Sequence, residues 1–205
     1  MTRVMIVDDD PATIDVGTRV LSGSGYTVES IGSLTGAHDK AKAFRPDVVL
    51  LDVMLGDGLG YEFARKLRRD PLLHKVCILF VSSVGTRPEV DFAVKQGGDA
   101  YLVKPITKQA LLEKVAQMSE LAQSTAKPDP LTGLSSLGAL KREIDFRLFR
   151  SEAFAMCLVD VVGLGGVATE EAAALKATIL RRIAGAFGGM LKSAGFYETT
   201  LSHFG

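Results

Sequence analysis

In this 205-residue chain, residues that can do chemistry stand directly after apolar runs. Asp8, Asp9 and Asp10 follow RVMIV, and Asp52 closes DVVLLD. Ser82 and Ser83 close VCILFVSS, and Lys104 with Pro105 follows DAYLV. If those runs are neighbouring strands, Asp8, Asp9 and Asp52 converge on one sheet edge. Like charges that close repel, and one carboxylate is forced to protonate unless a cation joins them. A hard divalent ion with oxygen ligands removes the conflict, and Mg²⁺ suits a site shared with phosphate. Lys104 adds a compact positive charge and Ser82 a hydroxyl donor. Such a set can hold a phosphoryl group on a carboxylate oxygen. Each piece alone has a plainer reading: an acidic triplet caps a helix, and a Lys-Pro pair makes a turn. Their conjunction at successive strand ends is what points to chemistry.

The elements that must place these residues are legible from periodicity. Strands are expected at 3–7, 27–31, 47–52, 76–83 and 99–103. Helices are expected at 14–21, 34–44, 61–69, 87–96 and 107–123. Pro11 suits the first turn of the first helix, and Gly23 and Gly25 end it. GDGLG (56–60) reads as a glycine-rich loop. Near-continuous apolar strands alternating with helices imply a parallel sheet covered on both faces. The ligand site of such a sheet lies at the carboxyl ends of its strands, near a topological switch point.

Composition narrows the classes. Net charge is +0, with 47% hydrophobic and 23% charged residues, which argues against a strongly electrostatic partner such as duplex DNA or an anionic membrane. No apolar run approaches the roughly 20 residues of a spanning helix, and the acidic N-terminus is unlike a signal peptide. A soluble cytoplasmic protein is expected. The two cysteines, Cys77 and Cys157, lie in apolar runs without a CxxC and are expected to be small buried hydrophobes. His38, His74 and His203 lack metal-ligand spacing.

Residues 1–123 resemble the receiver domain of two-component response regulators, on VDDDP (7–11), LLDVML (50–55), GYE (60–62), VSS (81–83) and GGDAYLVKP (97–105). The resemblance implies a five-stranded, parallel, doubly wound, flavodoxin-like α/β domain. It makes Asp52 the phosphoacceptor and Asp9 a direct Mg²⁺ ligand, with Asp8 helping through water and the Met54 carbonyl completing the protein ligands. Ser82 becomes the switch hydroxyl, Lys104 the ion-pair partner of the phosphoryl group, and Tyr101 the aromatic that swings inward. The Lys104–Pro105 bond is expected to be cis. The implied partner is a sensor histidine kinase or a phosphotransfer protein. Where the family usually carries proline, four residues after the acceptor, this chain has Gly56; a more flexible loop is expected, with altered dephosphorylation or partner docking.

Residues 124–130 read as a linker and 131–205 as a second, small α/β segment. DPLTGL (129–134) resembles the entry motif of GGDEF domains, the diguanylate cyclases. A helix after Ser135, a strand at 154–162 ending near Asp160, a helix at 169–192 and a strand at 196–201 are expected. On the long helix Leu175, Ile179, Ile183, Ala186 and Met190 form one stripe. The second acid after Asp160 is absent, and the chain stops at SHFG, about where the GGDEF signature should begin. The segment is therefore expected to be non-catalytic, partial or degenerate, acting by contacts. The alternative is the N-terminal part of a receiver-regulated cyclase whose signature lies beyond residue 205, and a bare phosphate sink is a third. GLGGVA (163–168) fits a dinucleotide fingerprint, but two strands are too few for such a sheet. No DNA-binding domain and no membrane segment are expected, and homodimerisation stays open.

Overall fold

The computed structural model describes residues 1–129, 132–157, 170–195 and 202. The chain divides into two compact units, Met1–Gln123 and Ser124–Gly205. Among the described residues no helix is long and apolar enough to cross a membrane.

The first unit is built on β1 (Arg3–Val7), β2 (Thr27–Ile31), β3 (Val48–Asp52), β6 (Cys77–Ser82) and β7 (Ala100–Val103). These pair in parallel in the order β2-β1-β3-β6-β7. Two short strands, β4 (Met54–Leu55) and β5 (Gly58–Leu59), form an antiparallel hairpin after β3. The helices are α1 (Pro11–Ser22), α2 (Ala37–Phe44), α3 (Gly60–Arg69), α4 (Arg87–Lys95) and α5 (Lys108–Ala126). In the second unit α6 spans Leu137–Phe149 and α7 spans Glu170–Ser193.

Strand alternation sorts the core into two layers. Met5, Val7, Val49, Leu51, Ile78 and Phe80 face α2, α3 and α4, meeting Ala41, Phe63, Leu67 and Ala93. Val4, Ile6, Val48, Leu50, Cys77 and Leu79 face the other way, packing with Leu21 of α1 and Leu111, Val115 and Met118 of α5. Every residue of β3 and β6 is buried, as a central strand covered on both faces requires. Because β2 and β3 lie on opposite sides of β1, the chain reverses direction across the sheet between β1 and β3. The crevice at that switch point opens beside the residues that follow β1 and end β3.

Five expectations are revised. The loop 56–60 holds the turn and second strand of the β4–β5 hairpin. Helix α2 begins at Ala37 rather than at residue 34, because residues 33–35 form a turn bonded to Asp57 and Gly36 is left-handed at φ 78°. Helix α5 continues to Ala126, so residues 124–126 of the expected linker are helical. Pro128 then disfavours helix at the residue before it. Cys77 is buried, but Cys157 is exposed. Residues 154–157 of the expected strand pair with no other strand among the described residues and are exposed, since an apolar run without a partner does not make a sheet.

In the second unit Ser136 caps α6 by accepting from the Ala139 amide at 3.2 Å. Asp129 accepts from the Thr132 amide at 2.7 Å and its hydroxyl at 2.6 Å. Ser135 and Ser202 form an isolated parallel bridge. On α7, Ala177 and Leu180 are buried, whereas Leu175, Ile183 and Met190 of the expected stripe are exposed. Asp160, GLGGVA, 196–201 and His203 lie outside the described residues.

Candidate functional site

Strand β1 delivers Asp8 and Asp9 to the crevice, and β3 delivers Asp52 beside them. One carboxylate oxygen from each of the three lies within 4.8 Å of the others. Asp8 and Asp52 are buried and Asp9 is exposed. The third acid of the triplet does something else: Asp10 is the cap of α1, accepting from the Ala12 amide at 3.0 Å, the Thr13 amide at 3.3 Å and the Thr13 hydroxyl at 2.7 Å. The Thr13 hydroxyl and then the Ala12 amide hold its carboxyl below the usual range.

Lys104 follows β7, and its amide donates to the Ser82 carbonyl at 2.7 Å, which extends the β6–β7 ladder by one step. Its ammonium donates to Asp8 Oδ2 at 2.9 Å and pairs with Asp52 Oδ2. Burial works against the Lys104 charge, but Asp52 and Asp8 outweigh it and hold the ammonium above its ordinary range. Burial pushes the Asp8 carboxyl up, only partly offset by the Asp10 amide and Lys104. One ammonium thus faces two buried carboxylates, with Asp9 alongside. A second cation fits that imbalance, and an all-oxygen donor set suits a hard one. The Lys104–Pro105 bond is cis.

The backbone after β3 is drawn tightly around Asp52. The Met54 amide donates to Asp52 Oδ1 at 3.0 Å. The Gly56 amide donates to Asp9 Oδ2 at 2.9 Å. At Gly60 a side chain would collide with the Asp52 carbonyl oxygen, so only glycine permits this approach. A cavity of 350 Å³ opens beside Asp52 and Lys104, with Val16, Val20 and Ile106 among its apolar walls.

Ser82 is buried at the end of β6, and its Oγ accepts from the Val84 amide at 3.1 Å. The Tyr101 hydroxyl donates to the Val84 carbonyl at 2.6 Å. One residue, Val84, therefore joins Ser82 to Tyr101. Of the residues singled out in the sequence, Asp8 and Asp52 bond Lys104 directly, and Asp9 brings a carboxylate oxygen within 4.8 Å of theirs. Met54 touches Asp52 through its amide, Ser82 sits one strand away, and Tyr101 reaches the group through Val84. Asp57 bonds four groups of the β2–α2 turn, a role that GDGLG read as a loop does not disclose. A lone acid between two glycines is the turn-capping signal that marks it.

The model of the response regulator receiver domain matches residues 4–116, more than half of the chain. The chain belongs to the response regulator receiver family. Receiver domains bind Mg²⁺ at an acidic cluster of the kind formed here by Asp8, Asp9 and Asp52. The DNA-binding response regulator MtrA of Mycolicibacterium smegmatis is 34% identical over 113 residues, 55% of this chain and 48% of MtrA. The KDP operon transcriptional regulatory protein KdpE of Escherichia coli is 31% identical over 137 residues, 67% of this chain and 60% of KdpE. The chain spans about half the length of the curated relatives it matches. Among solved structures, a CheY-like receiver domain protein from Methanospirillum hungatei superposes with a TM-score of 0.56 at 28% identity. That match covers 60% of this chain and 97% of the other. The first unit therefore has the CheY-like, flavodoxin-type fold of a receiver domain.

Proposed function

We propose that this receiver accepts a phosphoryl group on Asp52, with Mg²⁺ held by Asp8, Asp9, Asp52 and the Met54 carbonyl, and so acts as a switch in a two-component phosphorelay. The observation that carries the reading is the cluster itself, three carboxylates within 4.8 Å of one another with Lys104 on two of them. Bound there, Mg²⁺ neutralises charge on the transferring phosphoryl oxygens. The donor is a phosphohistidine on a sensor histidine kinase or phosphotransfer protein. A carboxylate oxygen of Asp52 attacks phosphorus, the new P–O bond forms as the N–P bond breaks, and the imidazole leaves with the electron pair. Lys104 then pairs with the phosphoryl group, and the buried Ser82 hydroxyl turns from the Val84 amide to donate to it. Loss of the Val84–Ser82 bond loosens the residue that holds the Tyr101 hydroxyl, which gives the new charge a route to the surface. Output runs through oligomerisation or partner binding, with the second unit as a non-catalytic, GGDEF-like contact segment. The names of MtrA and KdpE raise a DNA-directed output as the competing reading for chains of this family.

Incubation with Mg²⁺ and a small acyl phosphate tests the chemistry by intact-mass spectrometry. The wild type gains one phosphoryl group, and Asp52→Ala or chelation of the metal abolishes the gain. Phosphorylation of Asp52→Ala to the wild-type extent would overturn the assignment. Light scattering with beryllofluoride, which stands in for the phosphoryl group, tests the output. A rise in molar mass in the wild type and not in Asp52→Ala supports an assembly switch, and an unchanged mass removes it.

A further inference from the structure

The turn between β4 and β5 sits over the acid cluster with an unusual pair of anchors. Leu55 sinks into the core and holds the first arm, but residues 56–58 have no apolar anchor of their own. Two-residue strands do not hold themselves together. Asp57 supplies the tie: its carboxylate accepts from Ser33 Oγ at 2.7 Å, the Leu34 amide at 3.0 Å, the Thr35 amide at 3.0 Å and Thr35 Oγ1 at 3.2 Å. The turn is thereby fastened to the segment between β2 and α2. Next to Asp57, the Gly56 amide donates to Asp9 Oδ2. Asp9 is exposed, and among the described residues this is the single bond on its carboxylate, with Oδ1 left open. An exposed side chain without that bond samples several rotamers and must give them up on binding an ion. Bonds to a ligating carboxylate orient it and tune its affinity.

We propose that Gly56 and Asp57 are positioning residues for the metal site, Asp57 fastening the turn so that the Gly56 N–H fixes one oxygen of Asp9 and leaves the other for Mg²⁺. The inference rests on the Mg²⁺ reading above. The N–H, not the small size of glycine, is the operative group. A Cβ on Gly56 would lie 3.4 Å from Asp9 Oδ2, an ordinary contact. Alanine therefore keeps the donor, and proline removes it.

Calorimetric titration of the full chain with MgCl₂ tests this for the wild type, Gly56→Ala, Gly56→Pro and Asp57→Ala. The melting temperature of each is taken with and without the ion. Wild type and Gly56→Ala are expected to agree within about twofold in Mg²⁺ affinity, and Gly56→Pro and Asp57→Ala to bind about tenfold more weakly. The rise in melting temperature on adding Mg²⁺ should shrink in the same two variants. A purely structural role would lower the metal-free melting temperature and leave that rise intact. Wild-type affinity in both Gly56→Pro and Asp57→Ala overturns the proposal, as does equal weakening by alanine and proline at Gly56. If Gly56→Pro does not fold, Asp57→Ala decides alone. A wild type that takes up no Mg²⁺ removes the metal reading itself, and this inference with it.

Discussion

The sheet of the first unit and the helices of the second treat apolar residues differently. In β3 and β6 each apolar side chain is buried, because a layer of helices covers each face. On α7 the apolar side chains are divided, with Leu180 buried and Leu175 and Met190 more than half exposed. A strand that is apolar on both faces has one solution, a central place in a covered sheet. An apolar stripe on a helix defines a face but not what covers it. Phe80→Ala should therefore cost about 3–5 kcal/mol, as removal of a buried aromatic does. Met190→Ala should stay within about 0.5 kcal/mol of wild type. Urea unfolding of the two variants measures the contrast. Comparable losses would mean that α7 is covered in the folded protein and that the difference between the regions is not real.

The same contrast explains what could be read from the sequence. The five long strands, their parallel pairing and the gathering of Asp8, Asp9, Asp52 and Lys104 follow from run length, alternation and strand-end position, all of which are local. The hairpin at 54–59 could not be read that way. Its pairing is two residues long, and its place is fixed by Asp57 reaching a turn some two dozen residues earlier in the chain. Hydrogen bonds between distant loops leave no periodic trace. The delayed start of α2 has the same origin. Cys157 is exposed for another reason: its apolar neighbours look like those of Cys77, but β6 lies between β3 and β7, whereas 154–157 pair with no strand among the described residues.

Gly60 sharpens the comparison within the site. The carboxyl group of Asp52 faces the crevice, but its main-chain carbonyl is pressed against Gly60. Gly60→Ala must displace one backbone or the other, and overpacking of this kind costs about 1–3 kcal/mol. The shift is delivered straight to Asp52, the proposed acceptor, so phosphorylation by an acyl phosphate should slow by more than the loss of folded protein explains. Thermal melts and single-turnover labelling, run on the same samples, separate the two. A stability loss with an unchanged labelling rate would show that the Asp52 carboxylate is insulated from its own backbone.

The smallest effect concerns Asp57 in acid. Its carboxyl is held well below the ordinary 3.8, first by the Leu34 amide, then by the Ser33 hydroxyl and the Thr35 amide. A carboxyl with a depressed folded value contributes stability that is fully present above the unfolded value and disappears as pH falls through the folded one. The wild type should therefore melt above Asp57→Ala by a constant margin at neutral and mildly acidic pH. The margin should start to shrink only below the ordinary aspartate value. Groups such as Asp8, whose carboxyl burial pushes up, titrate in both proteins and cancel in the difference, provided that the two sites act independently. Asp57 is exposed, so salt screens part of its interaction, and the margin should be a few degrees at most. A margin that widens in acid would mean that Asp57 is protonated more readily in the folded chain than in the unfolded one. The four donors around it would then not be its partners.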